Sequence, residues 1–391
     1  MLSRPLIYLH AHAPPTPGGT PVLMHRLLSG FGAGELEVVT DAALRSEVRR
    51  GGPRVLQVPY RFVLRKGPHG NRFTIGRVVN AAINVVLAVA AGLRTAVLAR
   101  RRGAGWILTV SDEGFSVIAG AVCARLSSLP HIVMVFDLWE ENAYTNVARA
   151  LARVLEPRIF RGAALVIVHS SQMAEHYRVK YGISCSVLPT SVEPWQSTPS
   201  QARRQDGTRE ILFAGAIYWA QEDALRRLSR VTRDLDGVRV TIVGSRSAEA
   251  DLRAQGIVVD RFEPDLPPDR FRRRLEQADV LFLALGFETA HPAVIRTASP
   301  AKLPEYMAAG RPIVVHAPPG SHVAEYGREG GFAEVADVPD DEALRASLVR
   351  VLEDEELSAQ RVARAEQLVH ERHEASRVRD ELRRLLESSL R

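Results

Sequence analysis

Short apolar segments alternate with amphipathic helical stretches along the chain, and this alternation occurs twice. In the first half, the apolar segments are rich in Val, Ile and Leu, which is typical of buried parallel strands. These segments lie at 6–9, 36–39, 55–58, 106–110, 132–136, 165–168 and 186–188, and the helices between them are predicted at 21–29, 116–127 and 147–160. Strands that alternate with helices imply crossover connections and a parallel sheet covered on both faces.

A polar segment at 192–209 interrupts this pattern. It contains two prolines and has no apolar period, so residues 193–209 are predicted to form an interdomain linker. The alternation then restarts, with strands predicted at 211–214, 238–243, 257–259, 280–284 and 312–316 and helices near 222–233, 269–277, 301–309 and 341–353. The predicted fold class is therefore α/β, with two doubly wound Rossmann-like domains over 1–192 and 210–370. Ligands of such sheets bind beyond the carboxyl ends of the strands.

Two further stretches predict long helices. The segment 357–390 is amphipathic and contains neither Gly nor Pro, so it is predicted as one helix long enough to reach across both domains. The segment 78–99 is nearly apolar but contains Asn80, Asn84 and Arg94, which fits a membrane span poorly. A helix buried against the sheet is favoured there, with an interfacial helix as the next alternative and a span as the last.

The stretch before this apolar helix, 60–77, interleaves basic residues with Tyr60, Phe62 and Phe73. Basic and aromatic residues beside an apolar helix suit contact with anionic lipid. A solvated loop is the equal alternative.

Composition narrows the classes of function. Of the 391 residues, 46% are apolar and 25% charged, as in a soluble globular protein of two domains. Two cysteines are too few for a disulfide framework or a cysteine zinc site, and the N-terminal apolar run lacks the layout of a signal peptide. A cytoplasmic location is therefore expected.

The formal net charge is +6, and only three of the 51 basic residues are lysines, namely Lys66, Lys180 and Lys302. A basic surface attracts phosphates, nucleic acid or anionic lipid. No nucleic-acid-binding motif accompanies these residues, so nucleic acid is not an expected partner.

The segment 296–312, RTASPAKLPEYMAAGRP, combines a Ser-Pro turn, a helix start and a lone lysine in the first turn. The unpaired N–H groups of a helix N-terminus and the ammonium of Lys302 suit a diphosphate, and Arg296 can bind a second phosphate oxygen. Glu305 lies on nearly the same helix face as Lys302, and its carboxylate can accept two hydrogen bonds from a ribose diol. A capped helix that turns into a strand is the alternative interpretation.

The residues at 299–312, Ser-Pro-x-Lys-Leu-x-Glu-Tyr-Met-Ala-x-Gly-x-Pro, resemble the donor-binding segment of family 4 retaining glycosyltransferases of the GT-B fold. The glycines after the first strand and the residues at 188–192 and 211–215 agree in order and spacing. The nearest resemblance is to bacterial cell-surface glycan members. It implies two facing Rossmann-like domains and a final helix, 371–391, that crosses back to the first domain. It also implies a nucleoside diphosphate sugar held mainly by the second domain and an acceptor held by the first.

Position by position, the resemblance implies a set of donor-binding residues, two of which, Lys302 and Glu305, are also expected to be catalytic. The set is Gly18, Gly19, Gly215, Arg261, Phe262, Arg296, Thr297, Ser299, Lys302 and Glu305. Main chain near 261–262 would contact the base. The sequence departs from the family at Thr297, where a second glutamate is common, and at Ala216 and Gln221, where Arg and Lys are common. Because of these departures, the resemblance does not identify the sugar of the donor.

In the first domain, residues 136–142 directly follow a strand and resemble an Asp-Leu-Trp-Pro-Glu segment of some bacterial cell-surface members, with Glu140 in place of the proline. Asp137 is predicted to act as the catalytic base or to bind the acceptor, and a purely structural role as a helix cap is the alternative. Glu141 and His12 are predicted to bind the acceptor. In a retaining transfer the departing phosphate can itself take the proton, so no protein base is required.

The predicted function is metal-independent, retaining transfer of a sugar from a nucleoside diphosphate donor to a lipid-linked or cell-surface glycan precursor, without a cofactor. Peripheral contact with an anionic membrane at its inner face is a further expectation. Three alternatives stay open: a soluble small-molecule acceptor, a non-catalytic nucleotide-sugar-binding partner subunit, and an epimerase on the same fold.

Overall fold

The computed structural model describes residues 2–11, 14, 19–32, 34–41, 74–111, 114–143, 145–195 and 207–389, together with the backbone of 54–58. The chain divides into two compact units. Unit 1 comprises Met1–Ser191 and Ala375–Arg391, and unit 2 comprises Val192–Glu374.

Unit 1 is built on a parallel sheet of seven strands in the order β3-β2-β1-β4-β5-β6-β7. Its elements are β1 (Leu6–Leu9), α1 (Gly19–Leu28), β2 (Leu36–Asp41), β3 (Arg54–Val58), α2 (Ile75–Arg102), β4 (Trp106–Val110), α3 (Phe115–Ser127), β5 (His131–Val135), α4 (Asn146–Gly162), β6 (Leu165–Val168), α5 (Ser171–Tyr181) and β7 (Ser186–Val187). β1 lies between β2 and β4, with Leu6 paired to both Leu36 and Trp106. Every residue of β1, β4 and β5 is buried, as strands covered on both faces require.

Unit 2 carries a parallel sheet of six strands in the order β10-β9-β8-β11-β12-β13. Its elements are β8 (Arg209–Ala214), α6 (Glu222–Thr232), β9 (Val238–Gly244), α7 (Arg246–Ala254), β10 (Arg261–Pro264), α8 (Pro268–Glu276), β11 (Val280–Ala284), α9 (Pro292–Thr297), α10 (Lys302–Met307), β12 (Ile313–His316), α11 (His322–Gly330), β13 (Glu334–Ala336), α12 (Asp341–Glu353), α13 (Glu355–Leu368) and a π-helix (Val369–His373). A final helix, α14 (Ala375–Ser388), belongs to unit 1.

The strand predicted at 257–259 is wrong, and the edge strand is β10. Ile257 is buried, but its N–H donates to the carbonyl of Leu252, so it closes the end of α7 and joins no sheet. The pattern also missed β13, which is only three residues long. A buried residue at a helix end and a buried residue in a short strand give the same local signal.

The prediction of a single helix over 357–390 is also wrong, because the helix is broken at the point where the chain leaves unit 2. The π-helix ends at His373, and the next residue, Glu374, has extended backbone angles and forms a parallel bridge with Val192. The carbonyl of His373 accepts from the Val192 N–H at 2.9 Å, and the His373 Nε2 lies 2.8 Å from the Tyr326 hydroxyl.

The last helix packs on unit 1, as the predicted fold class requires. Val378, Leu382 and Leu386 are buried in the same apolar cluster as Leu6 and Tyr8. The Trp106 Nε1 donates to the carbonyl of Leu386 at 2.9 Å.

The favoured prediction for 78–99, a helix buried against the sheet, is wrong for the N-terminal half of α2. All buried residues of α2 lie from Ala88 to Ala99, on the side that packs against α3. The opposite side exposes large aliphatic residues, including Ile75 (85% exposed) and Val86 (67% exposed). Among the described residues, α2 is the one helix whose length and composition would allow it to cross a membrane.

Candidate functional site

The sheet of unit 2 has its topological switch point between β8 and β11, because the chain leaves β8 towards β9 on one side and later returns to β11 on the other. Open parallel sheets bind ligands outside the carboxyl ends of the strands at such a point. β8 pairs with β11 only at Ile211 and Leu212, so the two strands part before β8 ends at Ala214.

Tyr306 of α10 satisfies the backbone where the two strands part. Its hydroxyl accepts from the Ala214 N–H at 2.8 Å and donates to the Ala214 carbonyl at 3.1 Å. The side chain is fully buried, and burial raises the pKa of its hydroxyl. Since a buried backbone group without a partner is costly, this one side chain fixes α10 against the end of β8.

Gly215 follows β8 directly and adopts a positive φ of 119°. A Cβ atom placed there would lie 3.1 Å from the Cε and 3.2 Å from the Nζ of Lys302. Both the backbone angle and this close approach favour glycine. The structure therefore brings together Gly215 and Lys302, which the sequence separates by 87 positions.

The ammonium of Lys302 is shielded from solvent and makes no hydrogen bond with any described residue, although the side chain as a whole is part-exposed. It lies 3.8 Å from the centroid of the Phe213 ring. Burial lowers the pKa of Lys302 to about 7, and the nearby carboxylate of Glu305 acts in the opposite direction. A buried cation without a counter-ion has a high energy, so the position favours binding of an anion.

The other predicted residues of this segment differ in their exposure. Glu305 is half-buried, Ser299 is half-buried between α9 and α10, and Arg296 is exposed in the last turn of α9. Thr297 is buried, and its hydroxyl donates to the carbonyl of Ala293 at 2.9 Å. That bond occupies the Thr297 hydroxyl within its own helix.

Arg261 and Phe262 point to opposite sides of β10, as neighbours on a strand do. Arg261 forms an ion pair with Glu263 at 3.1 Å. The Phe262 ring lies next to the last residue of β9, since a Cβ at Gly244 would lie 3.6 Å from its Cζ and 3.5 Å from the carbonyl oxygen of Gly215. Of the two side chains, only Phe262 is therefore placed beside Gly215.

Residues that the sequence analysis did not select hold the neighbouring loops in place. The Asp223 carboxylate accepts from the N–H groups of Phe287 and Glu288 at 2.7 and 3.0 Å, which fixes the loop after β11 to the start of α6. The Gly286 N–H donates to the carbonyl of Ala220 at 2.7 Å. No local motif marks Asp223, and the segment 299–312 contains Tyr306 without indicating its role, because their partners lie 64 and 92 positions away.

In unit 1, the loop after β5 places Asp137 at the carboxyl edge of the sheet, where the side chain is exposed. Trp139 in the same loop is buried and lies directly on Gly114, where any Cβ would clash with the indole ring. The loop is therefore anchored by Trp139, and Asp137 is presented outwards from it.

Glu141 is engaged by two side chains of α5. Its Oε1 lies 2.6 Å from the Nζ of Lys180 and 3.1 Å from the Nε2 of His176. Hydrogen bonds from these groups outweigh the effect of burial and lower the pKa of Glu141 to about 2. The structure thus places Glu141 in an ionic cluster with Lys180, and its acceptor-binding role stays a prediction.

Two predicted residues, His12 and Gly18, lie outside the described part of the chain. Gly19 begins α1 at an exposed position, and a Cβ there would contact no atom. Within the described residues, no group of three or more His, Cys, Asp or Glu side chains could hold a metal ion.

Residues 208–354 match the sequence model of the family described as glycosyl transferases group 1. No curated protein matches the chain in sequence. Sucrose-phosphate synthase from Thermosynechococcus elongatus shares its fold, with a TM-score of 0.70 and 15% identity over 98% of each chain.

Two other solved structures have the same fold. HepE of Anabaena, in complex with UDP and glucose, has a TM-score of 0.69 and 14% identity over 98% of this chain and 100% of its own. WaaG, a glycosyltransferase involved in lipopolysaccharide biosynthesis, has a TM-score of 0.62 and 14% identity over 97% and 99% of the two chains.

These findings confirm the predicted fold class, two doubly wound parallel α/β domains of the GT-B type. The family match covers the part of unit 2 that carries Lys302 and Glu305, and it confirms the prediction of a glycosyltransferase. The chain thus has the GT-B fold, and its second unit matches the group 1 glycosyltransferase model over residues 208–354.

Proposed function

We propose that the chain is a retaining, metal-independent glycosyltransferase. It moves a sugar from a nucleoside diphosphate donor bound by unit 2 to a lipid-linked or cell-surface glycan precursor bound by unit 1. The observation that carries this proposal is the shielded ammonium of Lys302, which has no hydrogen-bond partner among the described residues and lies against Gly215 at the switch point. A diphosphate supplies the counter-charge that this ammonium lacks.

The residues of unit 2 act on the leaving group. As the bond between the anomeric carbon and the phosphate oxygen breaks, negative charge grows on the diphosphate. Lys302 stabilises that charge, and Arg296 binds from the exposed end of α9. Glu305 accepts hydrogen bonds from the ribose hydroxyls, while Phe262 and the main chain beside it contact the base. Gly215 lets its backbone approach the diphosphate closely.

The acceptor oxygen forms its new bond on the face that the diphosphate leaves, so the configuration at the anomeric carbon is retained. The acceptor proton moves to the departing phosphate oxygen. Asp137, exposed at the edge of the unit 1 sheet, binds the acceptor hydroxyl and orients it. His12, Gly18 and Glu141 stay predicted contacts of the acceptor or donor.

We propose a cytoplasmic enzyme that works peripherally at the inner face of a membrane, where lipid-linked glycan precursors are available. The basic net charge of +6 supports attraction to an anionic surface. A uridine diphosphate sugar is the first donor to test, because HepE was solved with UDP and glucose.

A thermal-shift panel of nucleotide sugars tests donor binding. A ligand at 100 times its Kd adds about 2.7 kcal/mol to the apparent stability. The true donor should raise the Tm of the wild type, and Glu305→Gln should reduce that shift. Glu329→Gln, an exposed glutamate on α11, is the matched control and should leave the shift unchanged. A panel with no shift would refute donor binding.

Two measurements then test the transfer. Slow hydrolysis of the donor by the isolated protein would exclude a non-catalytic binding subunit. The configuration of the released sugar, followed by NMR during the first turnovers, should match that of the donor. An inverted first product would overturn the retaining assignment.

A further inference from the structure

The side of α2 that faces away from α3 is apolar along most of the helix. Its exposed large side chains, called here the α2 stripe, are Ile75, Val78, Val79, Ile83, Val86, Val89, Leu93 and Val97. At about 100° per residue they fall within an arc of roughly 140°, which is one continuous face. At about 1.5 Å per residue the stripe is roughly 33 Å long. Contiguous exposed apolar patches of this kind mark interaction surfaces.

The N-terminal half of α2 extends past the start of α3, the helix on which its C-terminal half packs. Gly92 packs on α3 so closely that a Cβ would lie 2.5 Å from the Ala119 carbonyl oxygen, and Arg100 donates to the carbonyl of Leu126 at the end of α3. Residues 75–87 contain no buried position, so about 20 Å of helix extends past the first residue of α3. α3 begins after the carboxyl end of β4, which makes this the sheet edge that also carries Asp137.

The chemistry of α2 indicates what covers the stripe. The stripe is entirely aliphatic, whereas the core of a protein–protein interface is enriched in aromatic residues and Met. The charged residues of α2 are arginines without exception: Arg77, Arg94, Arg100, Arg101 and Arg102. At about 100° per residue, Arg94 and Arg101 lie at the edge of the stripe, whereas Arg77 and Arg102 fall on the opposite side. Arg102 also pairs with Glu37 at 3.5 Å. An aliphatic face with cations at its edge is complementary to acyl chains beneath anionic headgroups.

The other face of α2 determines how the helix meets a bilayer. Ala88, Ala91, Gly92, Thr95 and Ala96 are buried against the protein, and the close contact at Gly92 leaves no space between the two helices. A span would require α2 to leave α3 and expose that packed face. An orientation along the surface keeps the packing and buries only the stripe.

We propose that the α2 stripe docks the protein on an anionic bilayer, with α2 lying in the plane of the interface. The site thus takes lipid as its partner. The link to a lipid-linked acceptor rests on the proposed function: the N-terminal half of α2 lies on the edge that carries Asp137, so such an acceptor reaches that edge while its lipid stays in the membrane.

Vesicle flotation of the full chain tests the docking. The wild type should float with phosphatidylcholine vesicles that contain 30% phosphatidylglycerol. The variant Val79→Gln/Ile83→Gln/Val86→Gln should reduce the bound fraction about tenfold. All three positions are exposed and glutamine favours helix, so the fold is expected to survive. The matched control, Val154→Gln/Val179→Gln/Val258→Gln, replaces exposed valines elsewhere and should float like the wild type.

Three results would overturn the proposal. The first is equal flotation of the stripe variant and the wild type. The second is a lipid-free wild-type dimer that the stripe variant converts to a monomer, which would assign the stripe to a second copy of the chain. The third is wild type that stays in the membrane after carbonate extraction, which would indicate a span. Donor hydrolysis in detergent-free buffer separates this proposal from the proposed function, because the stripe variant should hydrolyse the donor like the wild type.

Discussion

Two of the three lysines of the chain are half-buried, and their surroundings are opposite. Lys180 of unit 1 is surrounded: its Nζ lies 2.6 Å from Glu141, 2.9 Å from Glu140 and 3.5 Å from Glu156. These partners raise the pKa of Lys180. Lys302 of unit 2 makes no hydrogen bond with a described residue, and burial lowers its pKa to about 7.

Lys180 is thus a cation neutralised within the fold, whereas Lys302 is the cation that, under the proposed function, binds the donor diphosphate. Around Lys180, the fully buried Glu156 also accepts from the hydroxyls of Tyr177 and Tyr181, at 2.8 and 2.7 Å. Almost every polar group of that cluster is satisfied inside the protein. Lys302 is also held in a defined position, but no described residue hydrogen-bonds to its ammonium. Binding of an anion would therefore lower the energy of its charge.

The largest expected effect is on stability, from Lys180→Met. Removal of the cation leaves Glu140, Glu141 and Glu156 as buried or part-buried carboxylates without their shared partner. We expect a loss of about 3 kcal/mol in the free energy of unfolding, measured by urea denaturation.

Arg178→Met is the matched control for this variant. Arg178 lies on the same helix and pairs with Glu175 at 2.6 Å, but both side chains are mostly exposed. Its loss should cost under about 0.5 kcal/mol. Equal costs for the two variants would show that the Lys180 cluster is not structural.

Lys302→Met should lower the catalytic rate and leave the stability of the fold unchanged. Under the proposed function, the variant lacks the cation that stabilises the leaving diphosphate, so kcat should fall about a hundredfold, equivalent to about 2.7 kcal/mol. The Tm at pH 7 should not fall, because a shielded ammonium without a hydrogen bond is replaced by an apolar side chain. An unchanged kcat in the folded variant would remove Lys302 from the catalytic site.

Nucleotide binding should also change the protonation of Lys302. Its pKa of about 7 leaves the side chain largely neutral at pH 8. A bound diphosphate raises that pKa, so binding at pH 8 should take up nearly one proton, and the uptake should diminish towards pH 6. Calorimetry in buffers of different ionisation enthalpy measures this number. Uptake that persists in Lys302→Met would assign the proton to another group.

The same pKa gives the sign of the pH dependence of stability. The pKa of Lys302 lies below its usual value of 10.5, so between pH 7 and 10.5 the unfolded chain binds more protons than the folded one. This group therefore adds stability as pH rises through that range. The contribution should be absent from Lys302→Met in denaturation curves compared at pH 7 and 9.

The smallest expected effect comes from Tyr306→Phe. The variant removes the hydroxyl that bonds both backbone groups of Ala214, so we expect a loss of about 1–2 kcal/mol in stability. The KM for the donor should rise, since α10 is no longer fixed to β8. Unchanged stability together with unchanged KM would show that Tyr306 does not position Lys302.

Most of the fold was predictable because its signals are local. β1, β4, β6 and β11 were predicted at their observed bounds, since each is an uninterrupted apolar run of four or five residues between polar segments. The break at Glu374 was not predictable, because it depends on pairing with Val192, which is 182 positions away. The exposure of α2 was not the favoured prediction for a related reason: an apolar helix longer than the helix it packs on has the same sequence pattern along its packed and exposed halves.

The candidate site was predictable only where a motif carried it. Lys302, Glu305 and Gly215 came from an ordered segment and a strand end, but no pattern revealed that Gly215 and Lys302 would touch. Glu141 is a residue for which the sequence signal did not reveal the contacts of the side chain. Its position after β5 indicated a ligand-binding role, whereas Lys180 and His176 engage its carboxylate in the structure. Which carboxylate is engaged by a protein cation depends on tertiary contacts.

The bridge between Val192 and Glu374 has a consequence for how such a chain can be recombined. Unit 2 is one uninterrupted stretch, and its first and last residues form a parallel bridge. Unit 1, by contrast, consists of two pieces of the sequence. A gene segment that encodes 192–374 can therefore be exchanged between homologous genes as a single cassette, with both junctions meeting at one place. Under the proposed function, this exchange would change the donor preference, while the acceptor-binding unit and α2 would remain those of the recipient.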